Sequence, residues 1–146
     1  MFKKILVISL VVLSHKAYCL SSSSYLIANS AVNTLDYEEA YFHFSSSKME
    51  LNHWDLHNKL LTLISLNLIT ESQEVAKEII KHNKYDQEAW LVILSASIIS
   101  NDFKAFEEIN EILDSMELLN YIFFNENIKI KNLELISKSI FGIVEA

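Results

Sequence analysis

The stretch that decides the fold is Tyr25-Leu26-Ile27-Ala28-Asn29-Ser30-Ala31-Val32-Asn33-Thr34-Leu35-Asp36-Tyr37-Glu38-Glu39-Ala40-Tyr41-Phe42-His43-Phe44. Apolar residues recur here at three- and four-residue spacing on both sides of a short break at Leu35–Asp36. That periodicity predicts two helices, about Tyr25–Asn33 and Tyr37–Ser47, folded back on each other by a turn too short to do anything else. Asp36 stands where an N-cap oxygen would accept from the first turn of the second helix.

The same pattern continues along the chain. The spacing predicts further helices at about Trp54–Asn67, Ser72–Lys81, Gln87–Ser100, Phe103–Asp114, Glu117–Phe124 and Lys131–Val144. Short polar breaks at Leu51–His53, Thr70–Glu71, Asn83–Asp86, Asn101–Asp102 and Asn125–Asn127 make consecutive helices antiparallel. Ser72, Asp86 and Asp102 are the expected caps. With one Gly and no Pro in 146 residues, Asn takes the turn positions, because it tolerates left-handed backbone angles. The same scarcity of turn residues excludes sandwiches, barrels and glycine-rich phosphate loops.

The helices also repeat. Asp36-Tyr37 and Asp102-Phe103 lie 66 residues apart, and that shift lays Tyr25 on Leu91, Ile27 on Ile93, Ala28 on Leu94 and Ala40 on Phe106. Trp54 and Trp90 are 36 apart, as are Ala40/Phe44 and Ala76/Ile80, which leaves the register of the middle unit ambiguous. Units of 33–36 residues, each a helix pair, resemble the tetratricopeptide repeat family. The resemblance is carried by Tyr25 and Ala28 on the first helix, Asp36-Tyr37 at the turn, and Ala40 four residues before Phe44. Trp90, Asp102-Phe103 and Phe106 carry it in a later unit. It covers residues 22–114. The closing Pro of that family is missing from every unit, and Leu35 and Asn101 stand where its inter-helix Gly is expected.

The resemblance implies an all-α fold of antiparallel helix pairs, about three to four of them, stacked as a right-handed superhelical solenoid. It also implies a protein-interaction module without catalysis, similar to exported tetratricopeptide proteins of Gram-negative, alphaproteobacterial type. Partners of such modules bind the surface lined by the first helix of each pair. The polar positions there are Asn29, Asn33, Asn58, Lys59, Ser95 and Ser97, which are therefore the expected partner-binding residues for a protein or peptide. The alternative is a small secreted helical bundle that carries a lipid or another apolar ligand in its core.

Residues 1–19 read as a signal peptide: Lys3 and Lys4, then the apolar run Ile5–Leu13 broken only by Ser9, then small Ala17 and Cys19 before the cleavage point. The run is too short to span a bilayer, and the mature chain is expected to have no integral span. Cleavage would export the chain to the periplasm or beyond, remove its only Cys, and take the net charge from −7 to −10 by loss of Lys3, Lys4 and Lys16. An acidic surface without Arg points away from nucleic acid. Residues 115–146 carry an apolar block, Leu118–Phe124, and an amphipathic stripe through Leu133, Ile136, Ile140 and Phe141. This segment is expected to form a fourth helix pair, or to bind a further repeat or a second copy of the chain.

No catalytic constellation emerges. Adjacent carboxylates such as Glu38/Glu39 and Glu107/Glu108 diverge by about 100° on a helix and do not work as a pair. His53 and His57, at i and i+4, have the spacing of a metal-ligand pair, but the residue after His53 is Trp54 rather than the Glu of a zinc protease, and no third ligand is evident from spacing. The sequence therefore predicts no metal and no cofactor. The aromatic residues, Trp54 and Trp90 among them, are expected in the core.

Overall fold

The computed structural model describes residues 23–47, 50–102, 104–109, 119 and 130–142. Residues 1–19, expected to be a signal peptide, and most of 110–129 lie outside them, as does Phe103. Among the described residues the secondary structure is entirely helical. The helices are α1 (residues 23–33), α2 (Tyr37–Ser46), α3 (His53–Ser65), α4 (Ile69–His82), α5 (Gln87–Ser100), α6 (Lys104–Ile109) and α7 (Ile130–Ile140). The chain divides into two compact units, Met1–Leu51 and Asn52–Ala146.

In the first unit, α1 and α2 share a small core of Ala28, Ala31, Val32, Ala40 and Phe44, with Leu51 against it. Four of the five are Ala or Val, so small side chains make up the contact between the two helices. The turn between them is built by Leu35, which takes a left-handed φ of 61°. Its N–H bonds the Val32 carbonyl (3.0 Å) and the Asp36 N–H reaches back to the Ala31 carbonyl (2.9 Å). That pair of bonds is a Schellman motif, which satisfies the last carbonyls of α1. Asp36 then caps α2 by accepting from the Glu39 N–H at 3.2 Å.

The second unit repeats this hairpin twice. Asn67 (φ 58°) and Asn101 (φ 56°) end α3 and α5 in the same left-handed conformation. The Leu68 N–H bonds the Leu63 carbonyl at 2.9 Å, and the Asp102 N–H bonds the Ser97 carbonyl at 3.0 Å. Leu68 also copies the backbone of Asp36: φ −88° and ψ 71° against −88° and 78°. The helices that precede these turns open alike. Asn52 caps α3 in a capping box with Asp55, and Asp86 caps α5 by accepting from the Ala89 N–H at 3.0 Å.

The turns settle the register that sequence spacing left open. Aligned on Leu35, Asn67 and Asn101, the residues seven positions earlier are Ala28, Leu60 and Leu94, all buried. Five positions after the turn come Ala40 and Ser72, both fully buried. Ser72 is therefore the counterpart of Ala40 inside α4 and not an N-cap. The left-handed Asn67 ends α3 early, α4 begins at Ile69, and the Ser72 hydroxyl donates to the Ile69 carbonyl at 2.8 Å. Likewise Trp54 and Trp90 are not equivalent, since Trp54 sits two residues after its cap and Trp90 four after.

Packing in the second unit centres on α5, which neighbours α4, α6 and α7. Nine of its fourteen residues are buried, including Trp90, Ile93 and Leu94. A helix that is apolar on all sides is a core helix. By contrast α4 is amphipathic: Ser72, Val75, Ala76 and Ile79 are buried at helical spacing, while Glu71, Glu74, Lys77 and Glu78 face out. The same alternation of faces on α7 buries Ser137, with Phe141 buried just beyond its end, and leaves Leu135 exposed. Thus α7 belongs to the unit that holds α3–α6, and its apolar stripe is covered in part by α5.

Candidate functional site

The capping box of Asn52 fixes where α3 begins and so fixes which residues share its faces. His53 is its first residue and His57 follows one turn later; their rings meet edge to face with centroids 4.6 Å apart. The third member comes from the start of α5. The Asp86 Oδ1 atom accepts from Ala89, and Oδ2 lies 3.1 Å from His57 Nε2 and 3.9 Å from His53 Nε2. Behind the ring, His57 Nδ1 is 3.3 Å from Glu88 Oε2. Asp86 is buried, His57 is mostly covered and His53 is half exposed. One ligand-type atom from each of His53, His57 and Asp86 falls within 4.8 Å of the others, the one such trio among the described residues. The sequence shows the His53/His57 spacing but hides the carboxylate, because Asp86 lies 29 residues away and reads there only as a helix cap.

A second face of α3 is uncovered. Trp54 is 78% exposed and Leu61, seven residues on, is 44% exposed. Asn58 lies between them on the same side of the helix and is half-buried. The expectation that Trp54 packs in the core fails because the capping box starts α3 at His53, turning Leu56 and Leu60 inward and Trp54 outward. Phe42 is also exposed, on α2 of the other unit. Phe44 and Trp90 are core, the latter donating from Nε1 to the Lys84 carbonyl at 2.9 Å.

The other expected partner-binding residues scatter. Asn29 is half-buried and donates to the Tyr25 carbonyl at 3.3 Å, while Asn33 is exposed. Lys59 lines an open groove of about 590 Å³ along α3 and α4, with Glu71, Glu74, Glu78 and His82. Ser95 is fully buried and its hydroxyl has no hydrogen-bond partner among the described residues. Ser97 is also buried, at the floor of a groove of about 490 Å³ bordered by α4, α5 and α6. Asn58 thus shares a surface with exposed Trp54 and Leu61, and Asn29 and Asn33 lie on the face of α1 that carries exposed Leu26.

No helix among the described residues is long and apolar enough to cross a membrane. Compared with known protein families, with curated proteins and with solved structures, the chain matches none.

Proposed function

We propose that this chain is an exported helical-hairpin repeat module of tetratricopeptide type that binds a protein or peptide partner and catalyses no reaction. The repeat reading is supported by three Schellman turns at Leu35, Asn67 and Asn101, each with a small or apolar residue buried seven positions before it. Export is supported by Lys3–Lys4, the apolar run Ile5–Leu13 and the Ala17/Cys19 pair.

The observation that carries the binding reading is the uncovered face of α3. A large aromatic side chain left 78% in water gains nothing for the fold, and Trp is the residue type most enriched where partners anchor. Trp54 and Leu61 supply apolar contact, and the Asn58 amide between them supplies hydrogen bonding. An apolar-ligand carrier is less well supported, because the centre of the second unit is filled by α5 and both grooves beside α4 are open and edged with charge. The net charge, −7 for the full chain and −10 after the proposed cleavage removes Lys3, Lys4 and Lys16, favours a partner of basic character.

A random peptide library panned on the chain tests the reading. Retained peptides are expected to lose at least about tenfold in affinity, or roughly 1.4 kcal/mol, on Trp54→Ala and on Leu61→Ala. Peptides that bind both variants as tightly as the parent overturn it. Intact mass after expression in a Gram-negative host tests export separately: the expected N-terminus is Leu20, and a chain retaining Met1 in the cytoplasm refutes it.

A further inference from the structure

We propose that His53, His57 and Asp86 form a binding site for a divalent cation of the zinc type, which ties the first turn of α3 to the start of α5. The geometry points there in three ways. Zinc bonds of about 2.0–2.1 Å to imidazole nitrogen and carboxylate oxygen, set tetrahedrally, put neighbouring ligand atoms about 3.3 Å apart. The observed separations from Asp86 Oδ2, 3.1 Å to His57 and 3.9 Å to His53, bracket that value. Closing the set is left to half-exposed His53, whose Nε2 stands 3.9 Å from Asp86 Oδ2, while all three ligand atoms already lie within 4.8 Å of one another.

The ligands are also held from behind. Asp86 Oδ1 is fixed by the Ala89 N–H, leaving Oδ2 to face the imidazoles, and Glu88 stands at the far nitrogen of His57. Carboxylates and backbone groups placed behind first ligands orient them and raise their basicity. Two imidazoles with one carboxylate select zinc or its first-row neighbours over calcium and magnesium, which take oxygen ligands. Three protein ligands leave a fourth position for water or for a side chain of a partner. The site needs no partner to exist, so it stands independently of the interaction reading.

Chelator-stripped full chain titrated with zinc chloride in excess magnesium, followed by calorimetry, gives the direct test. The expected result is one zinc per chain, and cobalt in its place is expected to show the intense visible absorption of four-coordinate Co2+. Asp86→Asn keeps a helix-capping side chain but removes the anionic ligand, and should weaken zinc at least about tenfold with an unchanged helix content. His53→Gln and His57→Gln should weaken it as much or more, and should abolish the rise in melting temperature that zinc gives the parent. His82→Gln should leave both readouts unmoved. Absence of saturable binding means that the trio is an imidazole–carboxylate ion pair and overturns the proposal. Zinc binding that survives His53→Gln and Asp86→Asn overturns it equally.

Discussion

The three hairpin turns make a quantitative prediction. At an ordinary helical position Gly is less stable than Ala, by roughly 0.5–1 kcal/mol of backbone entropy. At a left-handed position the order inverts, because a Cβ there costs roughly 1–2 kcal/mol that Gly avoids. Leu35 sits at φ 61° and is 70% exposed, so its side chain contributes little burial to set against the strain. Leu35→Gly should therefore exceed Leu35→Ala in stability by about 0.5–1 kcal/mol, the strain relieved less the entropy lost. With urea m-values of roughly 1–3 kcal/mol/M, the two midpoints should differ by roughly 0.2–1 M in unfolding followed by far-ultraviolet circular dichroism. The same ordering is expected for Asn67→Gly against Asn67→Ala and for the pair at Asn101. Ala40→Gly, in the buried interior of α2, should instead cost about 1 kcal/mol. Ala equal to or better than Gly at position 35 would refute the left-handed turn and with it the register that aligns the three hairpins.

Further outcomes follow from single contacts. In chelator, Asp86→Ala should cost about 2–3 kcal/mol by urea denaturation, the cap to Ala89 and the bond to His57 lost together, while Asp86→Asn keeps the cap and should cost about 1 kcal/mol; equal costs would contradict the capping role. Ser95→Ala should leave stability unchanged or raise it by about 1 kcal/mol, since its buried hydroxyl has no hydrogen-bond partner among the described residues; a clear loss would mean that this hydroxyl is satisfied after all. Trp54→Phe should leave a blue-shifted, quencher-resistant emission from Trp90, and Trp90→Phe should leave a red-shifted, easily quenched one from Trp54. The reverse pattern would contradict the start of α3.

Helical periodicity alone located most of the elements. The predicted bounds of α2 and α5 match within a residue, because Asp36 and Asp86 are capping residues directly ahead of an apolar-periodic run. The bounds failed where termination depends on a residue that also fits a helix interior. Asn67 read as the last residue of α3, whereas its left-handed backbone ends the helix and moves the start of α4 back to Ile69. The false match of Trp54 to Trp90 arose the same way: spacing counts residues, while the capping box at Asn52 decides which side of the helix each one takes.

What the sequence by itself determined is the class: helices joined by short connections, properties of neighbours along the chain. The acidic charge was equally local. What only the tertiary structure decided is which side chains meet. Packing of α4 against both α3 and α5 carries the N-terminus of α5 back to the first turn of α3, and so sets Asp86 beside two histidines from which 29 and 33 residues separate it. It also leaves Trp54 and Leu61 in water while Leu56 and Leu60 are buried. Hydrophobic periodicity names an apolar stripe on a helix, but α3 carries apolar residues on two sides, and only the position of its neighbours chooses the side that is covered.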